Sequence, residues 1–147
     1  MTEKINPKST ENNMNGKQIV GLIGSVIAII GCFMPIATFP VVGGINYMFP
    51  PDGGIGDGVI VAALVTLGLL GAVRGGSILM FLCTTLAGIV FGNTIYNLSG
   101  AISDIQASDE LMGAFMTSAS IGHGAAAIFL GLVLMLVSSF MPKSKVN

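Results

Sequence analysis

Four apolar runs, each free of Asp, Glu, Lys and Arg, restrict the folds open to this 147-residue chain more than any other feature. A helix of about 20 residues, rising ~1.5 Å per residue, crosses the ~30 Å hydrocarbon core of a bilayer. We therefore predict an all-α integral membrane bundle of four transmembrane helices, at about 19–39, 59–73, 76–98 and 121–141. The composition agrees, because 52% of the residues are hydrophobic and only 9% are charged.

Polar segments border this transmembrane domain, whose predicted extent is 18–142. Residues 1–17 are rich in Asn, Lys, Ser and Glu and nearly lack large apolar side chains, so they cannot bury enough surface to order themselves. We expect a disordered cytoplasmic tail there and a second short cytoplasmic tail over residues 143–147.

Two connecting segments are long enough to carry structure of their own. The stretch 35–58 contains four of the six prolines and many glycines, and we interpret it as the first extramembrane loop. Pro35 falls at the end of the first apolar run, where we expect it to kink the helix. Residues 101–119 place most of their apolar side chains on one helical arc, which predicts a short external amphipathic helix.

The distribution of charge predicts the orientation. All six basic residues fall in the two tails or in the turn between the second and third runs, whereas five of the seven acids fall in the other two loops. The positive-inside rule then places both termini in the cytoplasm and the chain in the inner (plasma) membrane. A net charge of -1, with no basic run, excludes nucleic acid as a partner.

Small residues recur at four-residue spacing and let helices approach closely. We expect helix packing along three such stripes, one in the first, one in the third and one in the fourth run, which include Gly24, Ala28, Gly88, Gly92, Gly124 and Gly131. The predicted partners are the lipid bilayer and either a second copy of the chain or another membrane protein.

Polar side chains near the external ends of the runs predict an external polar cluster made of Asp57, Asn93, Asn97, Asp104 and His123. A histidine beside a carboxylate responds to pH, which is the functional interpretation. The alternative is that the amides and the imidazole form hydrogen bonds between helices.

The glycine-rich stretch 53–58 invites comparison with phosphate and calcium loops. No strand precedes it and no Lys-Ser/Thr pair follows, so it is not a phosphate loop. Its aspartate lies one position short of the calcium-repeat pattern, in a single copy. Cation binding by Asp52 and Asp57 stays open beside the simpler interpretation, in which Asp57 caps the second helix.

Catalytic sets are missing from the sequence. The only histidine lies near one membrane face, and both cysteines fall inside apolar runs. No charged residue lies near the middle of any run, where ion-coupled transporters usually carry one. We predict a protein that is not an enzyme, with no cofactor and no metal.

The residues IGCFMPIATFPVVGGINYMF, followed by GIGDGVIV, carry a resemblance to known proteins. This first half of the chain resembles a family of small, uncharacterised four-span bacterial membrane proteins. The resemblance implies the topology and no activity. Claudin-like proteins also have four spans, but their Trp and paired external Cys signature is absent from this sequence.

Two functional hypotheses remain. The first is a non-enzymatic accessory or interaction subunit of the cell envelope. The alternative is a small oligomeric pore, holin-like or transporter subunit, which needs a polar stripe along the full length of a span. Only the outer half of the third run carries such a stripe, at Asn93 and Asn97.

Overall fold

The computed structural model describes residues 14–39, 43–50, 53–74, 76–108 and 120–142, with the backbone alone for 104–108 and 120. Within these ranges the chain forms four helices and three short strands. They are, in chain order, α1 (Gly16–Phe33), β1 (Pro35–Phe39), β2 (Gly43–Asn46), α2 (Asp57–Val73), α3 (Ser77–Ser108), β3 (Ser120–Ile121) and α4 (His123–Phe140). The predicted tails lie outside the described residues up to position 13 and from position 143.

The helices run antiparallel to their neighbours in an up-down order. Lys17, at the start of α1, donates hydrogen bonds to Ser77 at the start of α3 and to the Ser139 carbonyl near the end of α4. The Val73 carbonyl at the end of α2 accepts a hydrogen bond from Gln18. We call this end of the bundle, with Lys17, Val73, Ser77 and Ser139, the lysine end. The opposite end, with β1, β2 and β3, is the sheet end.

Three of the helices are long and apolar enough to cross a membrane. They are α1, α4 and the segment Ser77–Ser103 of α3. Helix α2 is also apolar but has 17 residues, about 25 Å at ~1.5 Å per residue. Helices α2 and α4 begin and end near the predicted apolar runs, whereas α1 and α3 each end at a different place. The mainly helical fold and the membrane-spanning potential predicted from sequence are confirmed in this coarser form.

Many large apolar side chains lie on the outside of the bundle, while its interior combines small side chains with larger ones. Ala28, Cys32, Met80 and Ile128 are at most 1% exposed, whereas Ile78, Phe129 and Phe140 are 77%, 64% and 73% exposed. In water such an apolar outer surface is unfavourable, because soluble monomers rarely expose contiguous apolar patches of more than a few hundred Å². Contact of this surface with lipid tails would remove that cost.

The closest helix contact joins α1 and α4. A Cβ atom built on Gly131 would lie 2.5 Å from the Ala28 nitrogen and 2.6 Å from the Gly24 carbonyl oxygen. Gly31 faces Ile128, and Gly124 faces the carbonyls of Gly31, Met34 and Pro35, at equally short distances. The two backbones therefore touch along most of the length of both helices, which glycine alone permits at these positions.

Helix α1 ends earlier than the sequence predicts. The first span was expected to reach residue 39 with a kink at Pro35, but the helix ends at Phe33 and Pro35 begins β1. The reason is local, because the residue before a proline is disfavoured in the helical region, and Met34 is extended at φ -84° and ψ 158°. The Asn46 amide donates to the carbonyl of Phe33, one of those left free at the helix end.

The loop at the sheet end contains a small antiparallel sheet that the sequence analysis did not predict. Its order is β2-β1-β3, so β1 pairs with the segment directly before α4 as well as with β2. Ala37 lies opposite Ile121, and the Gly122 N–H donates to the Ile36 carbonyl at 2.7 Å. The sheet thereby joins the end of α1 to the beginning of α4.

Helix α3 is longer than predicted. A span ending at 98 and a separate helix over 101–119 were expected, but one helix continues from Ser77 to Ser108. No proline interrupts it, and the Ser99 and Ser103 hydroxyls donate to carbonyls one turn back in the same helix. Positions 109–119, the remainder of the predicted amphipathic helix, lie outside the described residues.

We predict that Gly131→Ala lowers the free energy of unfolding by about 1–3 kcal/mol, the usual cost of overpacking. The added methyl group meets backbone atoms of α1, which cannot rotate away. The matched control is Gly100→Ala in α3, whose Cβ meets nothing within 4 Å. Its better helix propensity leaves stability unchanged or raises it by roughly 0.5–1 kcal/mol.

Unfolding of the purified protein in mixed detergent micelles, followed by circular dichroism, measures both effects. Equal stability of Gly131→Ala and the wild type would contradict the close α1–α4 contact.

Candidate functional site

A hydrogen-bonded chain of three side chains lies at the sheet end. The Thr94 hydroxyl of α3 donates to the Asp57 carboxylate at the start of α2, at 2.8 Å. The Tyr47 hydroxyl lies 3.3 Å from the same Thr94 oxygen. Thr94 has one proton, so when it donates to Asp57, Tyr47 is the donor to Thr94. The polarity of the chain then runs from the phenol to the carboxylate.

Tyr47 is the buried member of this chain, at 4% exposure. Its ring meets Phe91 edge-on, with 6.1 Å between the centroids, and its carbonyl accepts a hydrogen bond from the Gly58 N–H of α2. Burial raises the pKa of the phenol and the nearby Asp57 charge adds to this, while the hydrogen bond with Thr94 opposes it. The phenol is therefore neutral at physiological pH and serves as a donor.

The predicted polar cluster is assembled only in part. Asp57 is the first residue of α2, after the N-cap Gly56, and its carboxylate accepts a hydrogen bond from Thr94. Asn93 and Asn97 are exposed on α3, and His123 is exposed at the start of α4. Asp104 lies within α3, in the part of that helix of which the backbone alone is described. The proposed pairing of a histidine with a carboxylate is therefore not among the contacts that the described side chains make.

Exposed apolar side chains accompany this chain at the sheet end. Phe49 is 65% exposed, Ile55 is 84% exposed and Ile121 is 62% exposed. All three belong to connecting segments or to a strand, not to a membrane-length helix. We call them, together with the exposed Asp57, the sheet-end surface.

Lys17 holds the opposite end of the bundle together. Its ammonium group donates to the Ser77 hydroxyl at 2.7 Å and to the carbonyls of Ser139 and Met141 at 3.0 and 3.2 Å. The Ser138 hydroxyl donates back to the Lys17 carbonyl at 2.6 Å. Each of the three N–H donors of the ammonium group therefore has an acceptor. Two of these acceptors are carbonyls at the C-terminal end of α4, so the positive charge lies at the negative end of the helix dipole. A cavity of about 210 Å³ lies beside Lys17.

The predicted packing residues divide into two groups. Gly24, Ala28, Gly124 and Gly131 lie in the contact between α1 and α4. Gly88 and Gly92 face open space, because a Cβ atom on either would meet nothing within 4 Å. The glycine pair of α3 therefore packs against no helix among the described parts of this chain.

The polar side chains described above make hydrogen bonds with one another and with the backbone. Within the described ranges, no group of three or more His, Cys, Asp or Glu side chains lies close enough to hold a metal ion. Asp52, the other half of the predicted cation site, lies outside those ranges. The buried polar side chains there are Ser25, Thr84 and Ser138, and each donates to a backbone carbonyl.

Comparison with protein-family models, with curated proteins and with solved structures found no match. The resemblance of the first half of the chain to small bacterial membrane proteins therefore stays a prediction.

Sequence reasoning missed Thr94 and Lys17. Thr94 lies between Asn93 and Asn97, whose amides are the more obvious polar groups in the sequence. Its hydroxyl can also donate to the Val90 carbonyl of its own helix, so the sequence alone does not indicate a partner elsewhere. Lys17 was assigned to the tail, although a lysine placed directly before an apolar run is a signal for an interfacial anchor. In both cases the partner lies far along the chain, at Asp57 and at Ser139 respectively.

We predict that Thr94→Val lowers the free energy of unfolding by about 1–3 kcal/mol, because it leaves the buried Tyr47 hydroxyl without its partner. The shape is almost unchanged, so packing losses are small. Thr94→Ser keeps the hydroxyl and is the matched control, with most of the wild-type stability. Detergent unfolding curves compare the three proteins, and a Thr94→Val curve that overlays the wild type would contradict a structural role for the chain.

Proposed function

We propose that this chain is a four-span integral membrane protein and acts, without catalysis, as an accessory or interaction subunit of the cell envelope. The observation that carries the membrane part is the distribution of side chains. Large apolar residues such as Ile78, Ile89 and Phe140 point outwards, and small residues lie where α1 and α4 touch. In lipid this costs nothing, and close packing of small residues is what holds membrane helices together.

Helix α2 is included as the fourth span despite its 17 residues. It packs between α1 and α3, and its ends lie level with the lysine end and the Tyr47 chain. A hydrophobic segment of ~25 Å is accommodated by slight thinning of the bilayer, at a modest free-energy cost. The antiparallel order then places the first residues of α1 and of α3 on the same side of the membrane, together with Lys17 and Arg74. By the positive-inside rule this side is cytoplasmic.

Labelling of single introduced cysteines tests the four-span topology. Ile55→Cys at the sheet end and Gly16→Cys at the lysine end keep every charge, and both positions are exposed. We expect a membrane-impermeant maleimide to label Ile55→Cys in intact spheroplasts and Gly16→Cys only after permeabilisation. The wild type is the control, since Cys32 and Cys83 are buried. Labelling of both variants from the same side would refute the model.

The sheet-end surface is the proposed site of interaction. The side chains of Phe49, Ile55 and Ile121 expose apolar area. This area lies outside the membrane-length helices, where we do not expect lipid tails to cover it. Exposed apolar side chains beside a charged rim, here Asp57, are typical of protein–protein contacts. β1 pairs with β3, which contains Ile121, and with β2, which ends three residues before Phe49, so these two parts of the surface are held in place.

In-cell photocrosslinking tests this assignment. A photoreactive side chain at Phe49 or Ile55 is expected to trap one specific membrane or envelope protein in high yield. The same reagent at Gly16, at the other end of the bundle, provides the matched control and should not trap it. Equal yields from both ends, or none from the sheet end, would contradict the assignment of the sheet-end surface.

A small oligomeric pore, holin-like or transporter subunit is the second candidate. The observation that favours it is the exposed pair Asn93 and Asn97, one turn apart on the otherwise apolar outer side of α3. Because the described core holds only three polar side chains, all bonded to backbone, a conduit would have to form between copies of the chain. Ion or dye flux through proteoliposomes that is abolished by Asn93→Leu or Asn97→Leu would establish this function and overturn the accessory role.

A further inference from the structure

The segment between β2 and α2 brings apolar and acidic side chains of the sheet-end surface together. The Gly56 N–H donates to the Met48 carbonyl at 3.1 Å, which ties the two ends of this segment to each other. Phe49 follows Met48 directly in the chain. Ile55 and Asp57 flank Gly56, and both are exposed. One patch of the surface therefore presents two large apolar side chains and a carboxylate.

The carboxylate of Asp57 carries a charge that no described lysine or arginine neutralises. The described ones are Lys17 and Arg74, and both lie at the lysine end. Asp57 begins α2 and Arg74 follows its last residue, so about 25 Å separate them at ~1.5 Å per residue. Charges interact over ~8 Å at physiological ionic strength. Thr94 donates one hydrogen bond to the carboxylate, whose other lone pairs stay accessible.

The sequence that enters and leaves this end of the bundle has one sign of charge. Residues 34–57 and 94–122 contain five acidic residues and no Lys or Arg. His123, exposed at the start of α4, is the one histidine of the chain. An anionic partner, including a membrane surface rich in acidic phospholipids, is disfavoured here because like charges brought together in an interface cost free energy. A cationic partner is favoured for the same reason.

We propose that the partner of the sheet-end surface is a protein segment that carries an arginine or lysine beside apolar side chains. The cation pairs with Asp57, and the apolar side chains cover Phe49 and Ile55. A hydrogen bond between two charged groups is roughly twice as strong as one between neutral groups, and arginine is enriched in protein interfaces. The inference rests on the interaction role proposed above and adds the chemistry of the partner.

In-cell photocrosslinking tests this chemistry, with benzoylphenylalanine in place of Phe49 and mass spectrometry of the crosslinked peptide. We expect the crosslinked segment of the partner to contain Arg or Lys within a few residues of the attachment point. Asp57→Asn is expected to lower the crosslink yield roughly tenfold, because the charge pair is lost. Its amide oxygen still accepts the Thr94 hydrogen bond, so the local fold is preserved. Asp57→Glu keeps the charge and is the matched control, with a yield near that of the wild type.

The outcomes separate this inference from the proposed function. A crosslinked segment without Arg or Lys near the attachment point, or an unchanged yield in Asp57→Asn, would overturn the basic partner and leave the interaction role in place. Thr94→Val keeps the Asp57 charge, so an equal loss of yield in Thr94→Val and Asp57→Asn would also overturn the pairing and assign the effect to the local fold. Attachment to lipid, or no crosslink at all with Asp57 intact, would overturn the interaction role itself.

Discussion

Direct contact between the backbones of α1 and α4 is the constraint on which the rest of the structure depends. In lipid the hydrophobic effect does not drive helices together, so association relies on close packing and on hydrogen bonds. Gly24, Gly31 and Gly131 remove the side chains that would hold the two helices apart. Once α1 and α4 touch, the segments that follow α1 and precede α4 are side by side, and the pairing of β1 with β3 follows from that proximity.

Polar side chains within the helices and at both ends of the bundle form hydrogen bonds with backbone carbonyls. In apolar surroundings each unpaired polar group is costly, and Ser25, Thr84 and Thr85 bond within their own helices. At the ends, where helices leave carbonyls free, Asn46 bonds the end of α1 and Lys17 bonds the end of α4. In the described part of the chain, these polar residues therefore complete the fold.

The helices could be predicted from the sequence because a single charge-free apolar run in a bilayer can satisfy all its backbone hydrogen bonds only as a helix. The strand at 35–39 could not be predicted, because the residues IATF are as compatible with a helix end as with a strand. Its partner Gly44 lies beyond Pro40, and its partner Ile121 is distant along the chain. The continuation of α3 past residue 98 failed for a related reason. Polar residues were taken as the end of a helix, although Ser99 and Ser103 bond within it.

At the candidate site, Asp57 was recognised by its charge and its position before an apolar run. Its partner Thr94 is 37 residues away, and no local pattern distinguishes it from Thr84 or Thr85, which bond only their own helix. Long-range partners of this kind depend on the rotation of one helix about its axis. That rotation is set by packing of residues such as Tyr47 and Phe91, not by the period of the sequence.

The pairing of the first helix with the last has a consequence for biogenesis. The ribosome delivers α1 and β1 long before their partners, since Ile121 follows Ala37 by 84 positions. At ~5–20 residues per second, translation alone leaves β1 with an unpaired edge and the glycine face of α1 uncovered for roughly 4–17 s. During this interval the nascent chain exposes a helix hairpin of α2 and α3 beside an α1 that lacks its partner. The bundle closes only after α4 has been synthesised.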